Sequence, residues 1–466
     1  MPLDNSRQAN RLFIARLEAQ TIGLQNEVYP GQHPGPYKWL KIIRGLIATA
    51  QTYLDESESQ NLSDDEKSKH INDAAQLGQF SFERLKNILG AEATELPHQV
   101  IRPLQRWLDD LNIKETTFFL AEHAPNYELR AWGKTFFSRF HQPHPTLTAA
   151  LDEVNWPFTR ITVPGRALGI LPYYALVAHE AGHAIYARVG LDLNANSAKE
   201  ITDLYQRIET RLGRQLTPQD TDLSEIVTSW VEELAADAIA HHIAGPAFYF
   251  SAFGFFQMCT QGLGIGKSHP PHDLRREVLY EKMLTKANSG KSYTEVFREC
   301  TGADFDLEIN SIGIPNCPAG DTLFNMLKSY NYSDLTAAVI TESIPYVKAI
   351  YPYIFNTVST YLNNECPSLI YTPEKLNFDL KTHLEALCYL IPPIEYKDDH
   401  TDDIKPVELA SVLNVGWAAL LTKLDKISVQ KGQVGSEITW KMERLHSLLI
   451  KAVELAEARR AWDEAV

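Results

Sequence analysis

The sequence predicts a mainly helical chain that carries a small β-sheet, an α+β architecture. Three observations lead there. Apolar residues recur at three- and four-residue spacings, or multiples of them, through residues 1–112. The good strand candidates are confined to roughly residues 116–164. From Leu171 the helical pattern returns and persists largely to the C-terminus.

The first region, 1–112, reads as a helical N-terminal bundle. Phe13, Leu17, Leu24 and Val28 form one apolar stripe, and Trp39, Ile43, Leu46, Ala50 and Leu54 a second. Ser63-Asp64-Asp65-Glu66 is a capping box, opening a helix through Ile71, Phe82, Leu85 and Leu89 that Gly90 can close. Val100, Leu104, Trp107 and Leu111 mark a fourth helix. Next, "TTFFLAE" and "YELRAW" flank "HAPN" and predict a strand pair, and "FTRITVP" (Phe158 to Pro164) predicts a further strand. Breakers and periodicity place helices at about 171–189, 197–214 and 222–244. Beyond 300 the chain reads as a helical C-terminal region, 301–466, in which the acidic "IPPIEYKDDHTDDIKP" is a solvated connection.

Composition narrows the function. With 44% hydrophobic and 22% charged residues among 466, the chain is an ordinary globular one, large enough for two or three packed units. A net charge of -15 disfavours phosphate backbones, so no nucleic acid is expected as partner. The five cysteines, Cys259, Cys300, Cys317, Cys366 and Cys388, are scattered without CxxC spacing. That fits a reducing compartment, and with no apolar signal core at the N-terminus a cytoplasmic location is expected. The stretch from Ala238 to Gly266 has no Asp, Glu, Lys or Arg and is rich in aromatics. His241, His242, Gly245, Pro246, Gln257 and Gln261 interrupt it, so it is read as a buried core helix and no stable membrane insertion is expected.

The chemistry concentrates in "YYALVAHEAGHAIYARVG", residues 173–190. His179 and His183 are four apart, so on a helix they share a face and can grip one metal ion. Glu180 is rotated about 100° from His179, near enough to reach a water without being forced to ligate. Ala181 and Gly182 are small and let another element approach closely. The bare HExxH pattern is a moderate signal, and two buried, hydrogen-bonded histidines are the competing reading. A later helix, "SEIVTSWVEELAADAIAHHIAG", adds weight. Glu233 and Asp237 share a face among Trp230, Val231, Leu234, Ala235, Ala238 and Ile239, where carboxylates are costly unless paired or metal-bound. Glu233 can complete a His-His-Glu zinc site, with Glu232 as the rival third ligand. Asp237 can accept a hydrogen bond from the distal nitrogen of a ligating histidine. Tyr173 and Tyr174, and His241 and His242 beyond Asp237, are read as packing residues.

HEAGH followed by "EELAAD" resembles the gluzincin metallopeptidases, whose second motif is a Glu ligand with an Asp four residues on. Thermolysin and the CAAX-prenyl and heat-shock endopeptidases share this logic. "SHPPHDLRREVL", Ser268 to Leu279, is similar to the His-Pro-Pro…Arg segment of the latter family. The likeness covers roughly residues 158–280 and lacks that family's membrane spans. It implies a zincin-like metallopeptidase domain, 113–300, flanked by the two helical regions. It also implies zinc on His179, His183 and Glu233, Glu180 as general base, and Asp237 behind His179. His269 is a candidate for stabilising the oxyanion or gripping substrate, or else simply a helix-start residue beside two prolines. Arg275 or Arg276 could pair with a buried acid or a substrate carboxylate.

The expected function is therefore zinc-dependent hydrolysis of peptide bonds in a protein or peptide substrate, with narrow range. An extended substrate could add as a strand to an edge offered by "FTRITVP". A specialised toxin, defence or regulatory protease is the near alternative. A non-catalytic, zinc-containing helical scaffold is the distant one, and Glu180 argues against it.

Overall fold

In the computed structural model the described residues are 2–25, 34–91, 98–114, 117–122, 127–138, 143–164, 169–193, 197–218, 220, 222–259, 264–287, 290–305, 315–397, 404–428 and 436–465. Val28 and "HAPN" lie outside them. The chain is mostly helical, and it groups into two units: Met1–Arg102 with Lys114–Leu168, and Pro103–Ile113 with Gly169–Val466. The boundaries read at 112 and 300 do not coincide with this grouping. The strand segment falls with the N-terminal helices, and no break separates 300 from 301.

The first unit holds α1 (Pro2–Gln25), α2 (Pro34–Glu56) and α3 (Asp64–Ala91), which pack on one another. The stripe Trp39, Ile43, Leu46, Ala50 and Leu54 of α2 is buried, as its spacing requires. The capping box forms: Glu66 N–H donates to Ser63 Oγ (3.3 Å) and Ser63 N–H to Glu66 Oε2 (2.8 Å). After α4 (His98–Asp110) come β1 (Thr117–Glu122), β2 (Glu128–Trp132), α5 (Lys134–Ser138), α6 (Pro145–Asp152) and β3 (Phe158–Pro164). Two expectations fail here. β1 and β2 do not pair with each other, because β3 lies between them, parallel to β1 and antiparallel to β2. "FTRITVP" is therefore the central strand and has no free edge for a substrate strand. Its seven residues are all buried, with Phe158 stacked on Trp39 at 4.7 Å.

From Gly169 the second unit continues with a 3-10 turn, Leu171–Leu176, where one continuous helix is expected; Pro172 at its start supplies no N–H. It leads into α7 (Val177–Val189), which Gly190 closes at φ 72°. Next come α8 (Ala198–Leu212), α9 (Asp222–Ala244), α10 (Pro246–Cys259), α11 (His272–Met283), α12 (Tyr293–Thr301), α13 (Gly320–Ser329) and α14 (Asp334–Glu365). α15 (Pro373–Asp379) runs through a π turn, Leu380–Leu384, into α16 (Glu385–Cys388). The acidic connection contains a short antiparallel pair that its sequence does not suggest, β4 (Glu395–Lys397) with β5 (Ile404–Pro406). α17 (Leu409–Thr422) and α18 (Glu437–Ala465) complete the chain.

α9 packs against both α7 and α14 and is the axis of this unit. Its C-terminal end is firmly anchored. Asn414 of α17 accepts from Ala247 N–H and donates to the Ala244 carbonyl, both at 2.8 Å. Tyr371 N–H holds the His242 carbonyl at 2.7 Å, and the Tyr371 ring fills the space that a Cβ on Gly245 would need. Tyr371 Oη in turn donates to buried Asp379 (2.7 Å). The aromatic α10 is a core helix, with Phe248, Tyr249, Phe250 and Phe253 at most 1% exposed. Among the described residues no helix is long and apolar enough to cross a membrane.

Candidate metal centre

Two helices build the site. Gly182, between the two histidines of α7, faces α9 so closely that a Cβ there would lie 2.8 Å from the Ala236 Cα. This contact lets the histidine face of α7 meet the carboxylate face of α9. His179 and His183 approach each other at 3.2 Å between their Nε2 atoms. Glu233 reaches both, with Oε2 3.5 Å from His179 Nε2 and Oε1 3.4 Å from His183 Nε2.

These spacings have a physical meaning. Donors held about 2.05 Å from one tetrahedral ion lie about 3.3 Å apart. The two histidine nitrogens, 3.2 Å apart, match one edge of such a tetrahedron, and Glu233 turns a different oxygen to each of them, Oε1 3.4 Å from His183 and Oε2 3.5 Å from His179. His179, His183 and Glu233 are the group among the described residues whose donor atoms converge this way. Glu233 Oε2 is buried, and neither Arg275 Nη1 at 3.3 Å nor His179 Nε2 at 3.5 Å makes a well-aligned hydrogen bond to it. Two imidazoles and a carboxylate fit a divalent transition metal.

The ring nitrogens facing away from the cluster have partners too. Asp237 Oδ1 lies 3.0 Å from His179 Nδ1, a contact too bent for a good hydrogen bond. His183 Nδ1 donates to Glu232 Oε1 at 3.0 Å. Glu232, weighed as a third ligand, thus sits on the far side of His183 from Glu233. Consecutive residues on a helix point about 100° apart. One glutamate enters the cluster and the other reaches round the ring.

Arg275 of α11 is the residue whose full role the sequence does not reveal. It is 3% exposed. Its Nε and Nη2 grip the two Asp237 oxygens at 2.7 and 2.6 Å, and Nη1 lies 3.3 Å from Glu233 Oε2. The guanidinium sits 4.9 Å over the Phe256 ring, on which His272 also stacks. A buried arginine between two buried acids is the available signal, and nothing in one dimension pairs 275 with 237. Among the described residues Arg276 reaches Asn316, at 3.5 Å.

Electrostatics follow from this packing. Burial would raise the Glu233 pKa, but the nearby His179 and His183 rings and the Arg275 charge hold it well below the carboxylate range. For Asp237, burial is likewise outweighed by Arg275 and His179, and the pKa is lowered. Burial disfavours charge on His183, yet Glu232 and Glu233 lift its pKa to about 10. His179 is raised by Asp237 and Glu233 against its own burial.

Glu180 is buried at 7% exposure, and its charge acts on His183 and on Arg275. His269 has its side chain 50% exposed, its Nε2 3.4 Å from Glu233 Oε1 and its Nδ1 2.8 Å from Ser268 Oγ. Burial, with the Arg275 charge, lowers its pKa against the pull of Glu233. The loop carrying it is tied to α9, since Trp230 Nε1 donates to the Gly266 carbonyl at 3.0 Å. Tyr173 and Tyr174 are buried in the core, Tyr173 edge-on to Trp417. His241 is buried against Phe355 and Tyr293, and burial holds its pKa well below the usual value. No protein-family model, no curated protein and no solved structure matches the chain.

Proposed function

We propose that this protein is a zinc-dependent endopeptidase of narrow substrate range, built on a zincin-like core. The observation that carries the reading is the convergence of His179, His183 and Glu233, whose donor atoms lie within 4.8 Å of one another, with Glu180 one residue from the first ligand. His179 and His183 would bind through Nε2 and Glu233 through its carboxylate. Bound there, zinc supplies a Lewis acid and an acidified water.

The chain's own groups do the rest. Glu180 accepts a proton as the water oxygen forms its bond to the peptide carbonyl carbon. It returns that proton to the amine nitrogen as the C–N bond breaks. The burial of Glu180 keeps bulk water from competing for that proton. Ser268 Oγ can donate to His269 Nδ1, which leaves the His269 proton on Nε2, available to the carbonyl oxygen as it gains charge. Arg275 holds the acids behind the ligands ionised and in place.

Glu180→Gln tests the reading. It keeps size and helix but cannot accept the proton. The variant should bind one zinc per chain and melt like the wild type, while cleavage falls by about 100- to 10,000-fold. New N-termini mapped in wild-type and variant cells supply the substrate. Equal cleavage by the variant would sink the peptidase mechanism.

A further inference from the structure

We propose that Glu232 is a positioning residue that fixes the His183 ring in its ligating orientation and so sets how tightly the site holds its metal. This rests on reading His179, His183 and Glu233 as a metal site. An imidazole has two nitrogens on opposite edges, and a metal can use Nε2 only if that atom carries no proton. A carboxylate that takes the N–H of Nδ1 leaves the Nε2 lone pair free and stops the ring from turning. Glu232 is placed to do this: its Oε1 is 3.0 Å from His183 Nδ1, and Glu233 Oε1 is 3.4 Å from Nε2 on the other edge.

The two carboxylates behind the two histidines differ in what else they do. Asp237 is fully buried and locked by Arg275, so it belongs to the fold as much as to the site. Glu232 is 38% exposed, and among the described residues its ion-pair partner is His183. Its side chain is therefore free to serve His183 without bearing on the packing of α9. Consecutive glutamates on one helix thus divide two tasks, one as ligand and one as the anchor of a ligand. His183 is also the more exposed histidine, 19% against 11% for His179. It is the ring that most needs to be held.

The test is a chelator competition with zinc on the purified full chain, for wild type, Glu232→Ala, Glu232→Gln and Glu233→Ala, beside melts of the metal-free proteins. Glu232→Ala should still bind one zinc, roughly 10- to 100-fold more weakly. Glu232→Gln should recover most of that loss, because its amide oxygen accepts the same N–H. The metal-free melt of Glu232→Ala should fall only slightly, as losing a part-exposed ion pair implies. Wild-type affinity in Glu232→Ala would overturn the proposal. So would a Glu232→Gln as weak as Glu232→Ala, or a metal-free melt lowered in step with affinity. Complete loss in Glu232→Ala with retention in Glu233→Ala would make Glu232 the ligand and overturn it as well. A wild-type protein that takes up no zinc, nickel or cobalt would instead overturn the metal reading beneath it.

Discussion

Asp237 and Asp379 are both almost wholly buried, at 0% and 2% exposure, yet their surroundings push their pKa values in opposite directions. Asp237 receives the Arg275 fork and the His179 contact; these outweigh burial and keep its pKa low. Asp379 receives hydroxyls from Tyr371 and Ser411, while nearby Lys375 pairs with Glu408. Hydroxyls do not offset burial, and its pKa is pushed up to about 6. Burial is common to both, so burial alone does not mark a site. A buried cation separates them. Around Asp237 the chain keeps several charges ionised in a dry place, which is costly unless something uses them. Around Asp379 it makes a joint between helices that favours the neutral carboxyl, so ionisation near pH 7 costs stability.

The largest way to break this contrast is Arg275→Met. It removes the cation and leaves Asp237 and Glu233 as buried acids. Metal-free protein should lose about 3–5 kcal/mol in urea unfolding, the usual result of orphaning a buried charge. A loss under about 1 kcal/mol would mean that water already reaches these carboxylates.

Asp379→Asn should act in the opposite direction, and with a pH dependence. The folded pKa of Asp379, about 6, exceeds its ordinary value of 3.8. The stabilising contribution of such a group is present below pH 3.8 and is lost as pH rises through 6. Two pKa units correspond to about 3 kcal/mol, an upper bound for the strain relieved at pH 7. Asn keeps an acceptor for Tyr371 and carries no charge. Unfolding curves at pH 7 should show the variant more stable by about 1–3 kcal/mol, and at pH 4 the two proteins should nearly agree. Destabilisation at pH 7 would show that the fold favours the Asp379 carboxylate over its neutral form, and the contrast with Asp237 would vanish.

How much of this was legible in one dimension depends on the range of the interaction. His179 with His183, and Glu233 with Asp237, are four-residue pairs, so the helical period alone put each on a common face. Gly182 was legible as a close-approach residue, though Ala236 as its neighbour was not. Which carboxylate meets which ring edge was hidden, because Glu232 and Glu233 differ only by their rotation about α9. Arg275 was named, but its grip on Asp237 depends on how α11 returns to α9. The strands show the same limit. Composition located β1, β2 and β3, but the placement of β3 between the other two needs a parallel crossover past α5 and α6, which no local pattern records. The β4–β5 pair was missed because an acidic, proline-bearing stretch reads as loop.

The finest way to sharpen the contrast is at Gly182. The charged site exists because α7 and α9 touch, so a small wedge there should disturb chemistry as well as stability. In Gly182→Ala the new Cβ meets Ala236 Cα at 2.8 Å and its carbonyl oxygen at 3.1 Å, backbone atoms that cannot rotate away. Overpacking of this kind costs about 1–3 kcal/mol, and alanine's better helix propensity returns about 1. The net loss should be about 1–2 kcal/mol, because the obstacle is backbone. The helices can relieve the overlap only by separating, which also stretches the 3.4 and 3.5 Å contacts from the histidines to Glu233. Zinc affinity should therefore fall along with the melting temperature. Gly190→Ala supplies the comparison. Its φ of 72° strains alanine by about 1–2 kcal/mol, but among the described residues, its chain neighbours aside, no atom lies within 4 Å of the new Cβ, so the helices need not move. A matched drop in stability with unchanged zinc affinity is expected there. If both variants lower zinc affinity equally, the loss in Gly182→Ala comes from general destabilisation, and the α7–α9 contact does not set the geometry of the site.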